Sequence, residues 1–230
     1  VITVWAMMAA CSSSSDMEFD SKKDAKPLAS FQHIQSNIAA DLEIWVDTTQ
    51  NAKYKMDCDE SIQKKIKMEV RNKTLSIQVD SSLTTLNPIK LKIYTPVLRS
   101  LLLRGNEATT LHWKAPVSDF NLQSQGSGDI RLKHMNANQF TLLQSGTSNI
   151  NVSGEAQTCH IELKGKGDID LLKMPTHKAS VQLIGIGDIE LQLIEALNAN
   201  ISGMGNIYYH GKPIVVRKIT GQGEIRSKDQ

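Results

Sequence analysis

Gly105, Gly126, Gly146, Gly165, Gly185, Gly203 and Gly221 are separated by 21, 20, 19, 20, 18 and 18 residues. All but the first open a five-residue motif. The copies are Gly126-Ser127-Gly128-Asp129-Ile130, Gly146-Thr147-Ser148-Asn149-Ile150, Gly165-Lys166-Gly167-Asp168-Ile169, Gly185-Ile186-Gly187-Asp188-Ile189, Gly203-Met204-Gly205-Asn206-Ile207 and Gly221-Gln222-Gly223-Glu224-Ile225. Gly105 opens a degenerate copy. Of the 14 glycines in the chain, 12 fall in this pattern. Self-similarity at a fixed period near 20 residues marks a repeat architecture, so the repeat limits the fold more than any bulk property does.

The flanks identify the repeating element. Residues six, four and two before each leading glycine are mostly apolar, as in Cys159/Ile161/Leu163 and Ala179/Val181/Leu183, and the residues between them are mostly polar. After the turn the alternation resumes, as in Ile130-x-Leu132 and Ile189-x-Leu191. Period two with one apolar face is a half-buried strand. Each unit therefore reads as strand, glycine turn, strand and a looser return. A meander does not require the same turn residues at the same phase of every unit, whereas a coil returning to the same corner does. Stacking at about 4.8 Å per rung aligns an isoleucine column, two glycine columns and an Asp/Asn column, with glycine serving the corner because positive φ costs it little. The expected fold is all-β, a parallel β-helix of about 18–21 residues per coil over residues 105–230.

Residues 28–104 lack the motif but alternate in several runs, among them Leu42-x-Ile44-x-Val46, Tyr54-x-Met56-x-Cys58 and Ile89-x-Leu91-x-Ile93. Arg71-Asn72-Lys73-Thr74 reads as a turn. This segment is expected to supply irregular N-terminal coils continuous with the solenoid, or a cap on its end, because solenoid ends need covering.

The chain has 26 basic and 24 acidic residues, which gives no reason to expect nucleic acid as a partner. Three cysteines in 230 residues exclude a disulfide scaffold and a four-cysteine zinc site. The only long apolar run is Val1–Ala10, too short to span a bilayer, which needs about 20 residues. It suits the apolar core of a secretory signal. Ala9-Ala10-Cys11 resembles a bacterial lipobox, in which Cys11 carries the lipid; a plain signal with an incidental cysteine is the alternative. Residues 1–11 are thus expected to be the end of a signal peptide with its lipobox. Residues 12–27, opening Ser12-Ser13-Ser14-Ser15-Asp16, are expected to be a flexible tether, and 28–230 the folded head.

Several features together resemble the head GIN domain family of auto-transporter adhesins, bacterial lipoproteins for the most part. They are Phe31-x-x-Ile34, Lys73-Thr74-Leu75-Ser76-Ile77, Ile93-Tyr94-Thr95-Pro96-Val97-Leu98, the Gly-x-Gly-Asp/Asn-Ile turns, and Ile207-Tyr208-Tyr209-His210-Gly211-Lys212-Pro213. The resemblance implies a right-handed single-stranded parallel β-helix. It also implies an outer-membrane, surface-displayed location and a role in adhesion to a host or matrix glycan or protein.

Candidate site residues follow from the columns. Asp129, Asn149, Asp168, Asp188, Asn206 and Glu224 are expected along one edge. They serve either as caps accepting a corner N–H or as oxygen ligands toward a sugar or calcium. The nine-residue repeat of calcium-binding β-rolls is absent. Trp113 and Tyr208 are expected to be exposed stacking platforms, with Trp45 covering an edge. A carbohydrate-active enzyme on the same scaffold would need a carboxylate pair at a cleft, and no rung singles one out. The six histidines, at positions 33, 112, 134, 160, 177 and 210, show no metal-ligand spacing. The function expected is a lipid-anchored binding module with no cofactor and no catalysis; a lyase or hydrolase, or an envelope-structural protein, are the alternatives. Cys58 and Cys159 are expected to be buried thiols, with a disulfide as the other possibility.

Overall fold

The structure is a computed structural model and describes residues 25–79, 89–106 and 108–229. The signal segment, Cys11 and the tether through residue 24 lie outside the described residues. The chain curls into a β-solenoid of about six turns.

From residue 117 onward the repeat forms as its periodicity requires. Strands β10 (Val117–Ser124), β11 (Ile130–Gln144), β12 (Ile150–Leu163), β13 (Ile169–Leu183) and β14 (Ile189–Ile201) stack in parallel, each on the next. The stack ends on β15 (Ile207–His210), β16 (Ile214–Ile219) and β17 (Ile225–Ser227). The register places Ile130 on Ile150, Ile169, Ile189, Ile207 and Ile225, as the aligned column demands. All six are buried. The return between coils is tighter than expected. One strand runs through it in β11, β12 and β13, with a bulge absorbing the unequal coil lengths, as between Leu132 and Met135.

Two glycine columns make the corner, and backbone of the preceding rung crowds both. A Cβ on a leading glycine would sit 1.7–2.2 Å from the carbonyl oxygen of the glycine one rung earlier, so close backbone approach excludes any side chain. The following glycines Gly167, Gly187, Gly205 and Gly223 also take positive φ, as at Gly187 (145°) and Gly205 (138°). Where the second glycine is replaced, Ser148 turns inward. Its hydroxyl bonds that of Ser124 at 3.0 Å, and its carbonyl accepts from Gln144, whose Nε2 also reaches the Lys166 carbonyl at 2.8 Å. Ser124 and Gln144, polar exceptions in the alternation, are therefore buried members of a hydrogen-bonded corner.

At the N-terminal end, stacking order departs from chain order. β2 (His33–Asn37) lies between β6 (Thr74–Val79) and β8 (Ser100–Leu103), parallel to both. β3 (Asp41–Val46) lies likewise between β7 (Lys90–Thr95) and β9 (Thr109–Trp113). The coil met first in the chain is thus second in the stack, and β6 and β7 belong to the outermost coil.

Antiparallel strands cover that outer coil. β5 (Ile66–Arg71) pairs with β6 through a two-residue turn, where Asn72 and Lys73 take φ of 48° and 59°. β4 (Lys53–Asp57) pairs with β7, and β1 (Lys26–Pro27) with β4. The described residues before β9 thus form solenoid coils, with antiparallel strands beside the outermost one. Lys26 and Pro27, assigned above to the tether, belong to the sheet. The helical turn α1 (Glu60–Gln63) connects the cap strands.

Cys159 is buried in the core, and burial pushes its thiol up to about 12. Cys58 is only half-buried, just past the end of β4, and both thiols are free.

Candidate functional site

The Asp/Asn column forms as a ladder of hydrogen bonds between rungs. Asp129 Oδ1 accepts the backbone N–H of Asn149 at 3.2 Å, and Asn149 Oδ1 accepts that of Asp168 at 3.0 Å. Asp168 accepts from Asp188 at 2.8 Å, Asp188 from Asn206 at 2.7 Å, and Asn206 from Glu224 at 3.0 Å. Each of these five side chains, Asp129 to Asn206, caps the corner of the next coil and not its own. One oxygen of each is thereby committed to backbone, which makes the column a structural seam. No cluster suited to a metal ion occurs among the described residues.

Of the two aromatic candidates, Trp113 is not exposed. Trp113 is 3% exposed and points inward, edge-on to Phe120 with centroids 4.7 Å apart. Thr109, Leu111 and Trp113 are the inward positions of β9, a phase that the degenerate first turn conceals. Tyr208 faces outward, with Lys228 Nζ 4.2 Å and Arg226 Cζ 5.2 Å from its ring centre.

A groove of about 670 Å³ lies elsewhere, over the outward face of the N-terminal coils. Four strands form its floor in the order β4, β7, β3 and β9, with β11 at the margin. Because their inward positions are apolar, the alternate positions form rows across the groove. One row runs Lys53, Tyr94, Trp45, His112 and Lys133. The indole of Trp45 stacks on the imidazole of His112. Lys53 Nζ is 5.1 Å from the Tyr94 ring centre, and Lys114 Nζ is 5.6 Å from that of Trp45.

The adjacent row runs Lys55, Lys92, Glu43, Thr110 and Arg131. Glu43 binds Lys92 Nζ at 2.9 Å and lies 3.3 Å from His112 Nε2. Burial, opposed by Glu43 and reinforced by Lys133 and Lys92, holds the His112 imidazole below its ordinary pKa. A third row sets Lys90 between Asp57 and Asp41. Beside the groove, Asp47 accepts from Thr49 Oγ1 at 2.7 Å, Thr49 N at 3.0 Å and Lys114 Nζ at 3.0 Å. These bonds lower its carboxyl to about 2.

None of these groove residues stood out in the sequence except Trp45. The available signal was the outward half of each alternation, Lys90-x-Lys92-x-Tyr94 and Asp41-x-Glu43-x-Trp45. The strand order that brings these halves together was not available.

A parallel β-solenoid with a regular coil, a capped N-terminal end and a polar aromatic groove is a scaffold class that presents side chains on fixed sheet faces. The chain belongs to the family described as "Putative auto-transporter adhesin, head GIN domain", which matches residues 30–213. Its fold is similar to that of a crystal structure described as a putative adhesin from Bacteroides fragilis NCTC 9343. That pair has a TM-score of 0.82 at 22% identity, covering 90% of this chain and 98% of that one. Similar too are two proteins of Parabacteroides distasonis ATCC 8503. One is described as a putative lipid binding protein, with TM-score 0.70, 21% identity and coverage of 88% and 94%. The other is described as a putative adhesin, with TM-score 0.69, 18% identity and coverage of 89% and 95%. No curated protein matches the sequence.

Proposed function

We propose that this chain is the head of a cell-envelope lipoprotein, anchored through Cys11, that displays the solenoid as a binding module for adhesion. The observation that carries the reading is the groove: a recessed row of rings and charges on a rigid parallel sheet, in a family of adhesin heads. Rigid sheet faces suit recognition because little conformational entropy is lost when a ligand settles on them. The lipobox-like Ala9-Ala10-Cys11 and the serine-rich stretch behind it supply the anchor and tether that display requires. The reading assigns no reaction to the groove, because its central carboxylate, Glu43, is engaged by Lys92 and His112.

Expression of the full chain in a Gram-negative host tests the reading. Radiolabelled palmitate is expected in the wild type and not in Cys11→Ser. External protease and antibody should reach the head on intact cells, and the cells should gain attachment to a glycan- or matrix-coated surface. A protein wholly inaccessible from outside, with no gain in attachment, overturns it.

A further inference from the structure

We infer that the outer edge of β16 is a docking site for an extended strand of a partner protein, apolar and acidic in alternation, which adds to the solenoid as one further strand. The inference is independent of the groove and of the adhesion reading. Two observations meet on this edge.

The first is unpaired backbone beside uncovered apolar side chains. β16 pairs with β14 on one side, and no strand among the described residues pairs with the other. The Thr220 N–H bonds back to the Ile201 carbonyl. Backbone groups of alternate residues point to opposite sides of a strand, so Val215, Arg217 and Ile219 present theirs to the open edge. Such a row is a template for a further strand. Ile214 and Val216 stand outward on the same strand, 78% and 65% exposed, and Ile219, at an inward position, is still 43% exposed. The exposed large apolar side chains of the described residues all fall between Ile184 and Ile219, so this exposure belongs to one end of the stack. β5 also has an open edge, but there Ile66 is buried, Met68 and Val70 are half-buried, and Glu69 adds a carboxylate.

The second is charge, which selects the partner. Residues 212–220 include Lys212, Arg217 and Lys218 and no carboxylate. The two carboxylates that follow in the same coil are committed: Glu224 binds Arg226 Nε at 3.3 Å, and Asp229 binds His210 Nδ1 at 3.0 Å. Arg217 donates from Nη1 to the Ile225 carbonyl at 3.2 Å, while Lys212 and Lys218 have no carboxylate partner among the described residues. A second copy brought edge to edge sets this positive charge against itself, which opposes self-pairing. An acidic strand meets the same cations favourably; its backbone supplies the bonds and its alternate side chains the selectivity.

The test is fluorescence anisotropy of the purified full chain with a labelled peptide of about ten residues that alternates valine and glutamate. One comparison peptide carries lysine for glutamate, and another is N-methylated throughout its backbone. The acidic peptide is expected to bind, and both comparison peptides at least about tenfold more weakly. Lys218→Glu should weaken binding by about threefold or more. Ile219→Pro, which removes one edge-facing N–H, should weaken it by about the same factor. Lys67→Glu, the same charge change on β5, should leave it unchanged. Circular dichroism verifies that the variants fold; if Ile219→Pro does not, Lys218→Glu and the N-methylated peptide carry the test. No binding of the acidic peptide overturns the site, as does equal binding of either comparison peptide or an equal loss in Lys67→Glu. Sedimentation that shows a dimer of the full chain abolished by Ile219→Pro would also overturn it, because a second copy would then occupy the edge.

Discussion

The indole of Trp45 lies flat on the imidazole of His112, with ring centroids 4.0 Å apart and planes 6° from parallel, although 67 residues separate them in the chain. The contact exists because β3 is inserted beside β9, and it ties the groove floor to the N-terminal coils. His112 is half-buried, with Lys133 and Lys92 near and Glu43 opposite.

A depressed imidazole pKa follows from that setting. An NMR titration should place the His112 midpoint below 6.5, and Lys133→Gln should move it upward. Folded His112 binds its proton less readily than the unfolded chain does. Its contribution to stability is therefore complete above about pH 6.5 and declines as the pH falls below that value. A midpoint above 6.5 contradicts the structure.

The leading glycines offer a sharper test. A Cβ at Gly203 would lie 2.1 Å from the Gly185 carbonyl oxygen, and this neighbour is backbone that cannot swing aside. Gly203→Ala should destabilise the protein by about 1–3 kcal/mol or more in urea denaturation. Gln222→Ala, in an exposed turn-middle position, should stay within about 0.5 kcal/mol of wild type.

The Asp/Asn seam predicts a dissociation between two substitutions at one position. Asp188 Oδ1 accepts from both the backbone N–H and Nδ2 of Asn206, at 2.7 and 2.9 Å. Asp188→Ala should cost about 1–2 kcal/mol, whereas Asp188→Asn, which keeps an acceptor oxygen, should cost much less. Calcium and EDTA should leave Tm unmoved, since one oxygen of each seam residue is held by backbone and no cluster suited to a metal ion occurs among the described residues.

Asp47 makes the fold acid-sensitive. Its carboxyl lies at about 2 in the folded protein against 3.8 ordinarily, held down by Thr49 and Lys114. A depressed pKa stabilises the folded state fully above about pH 4, and the contribution fades as the pH falls toward 2. Asp47→Asn should flatten the dependence of the urea midpoint on pH across that window.

The sequence expectations succeeded where neighbours in the stack are neighbours in the chain. In β11 to β14 one coil rests on the next, so a 20-residue period, an alternation and a glycine pair suffice to place Ile150 on Ile169 and to align Asp168 with Asp188. They failed where that link breaks: Trp113 was misplaced because no complete motif phases β9.

By itself, then, the sequence determined that this protein is a stack of coils, which faces of its strands are apolar, and where glycine makes each corner. Those are local properties, set by side-chain volume, alternation and backbone sterics within one coil. Only the tertiary structure decided that β2 and β3 slip between later coils, that β1, β4 and β5 close the end, and that Lys55, Lys92, Tyr94, Trp45 and His112 share one face. The reason is that a parallel strand pair specifies its partner through backbone bonds common to all residues. Which coil lies beside which is settled by packing over the whole stack.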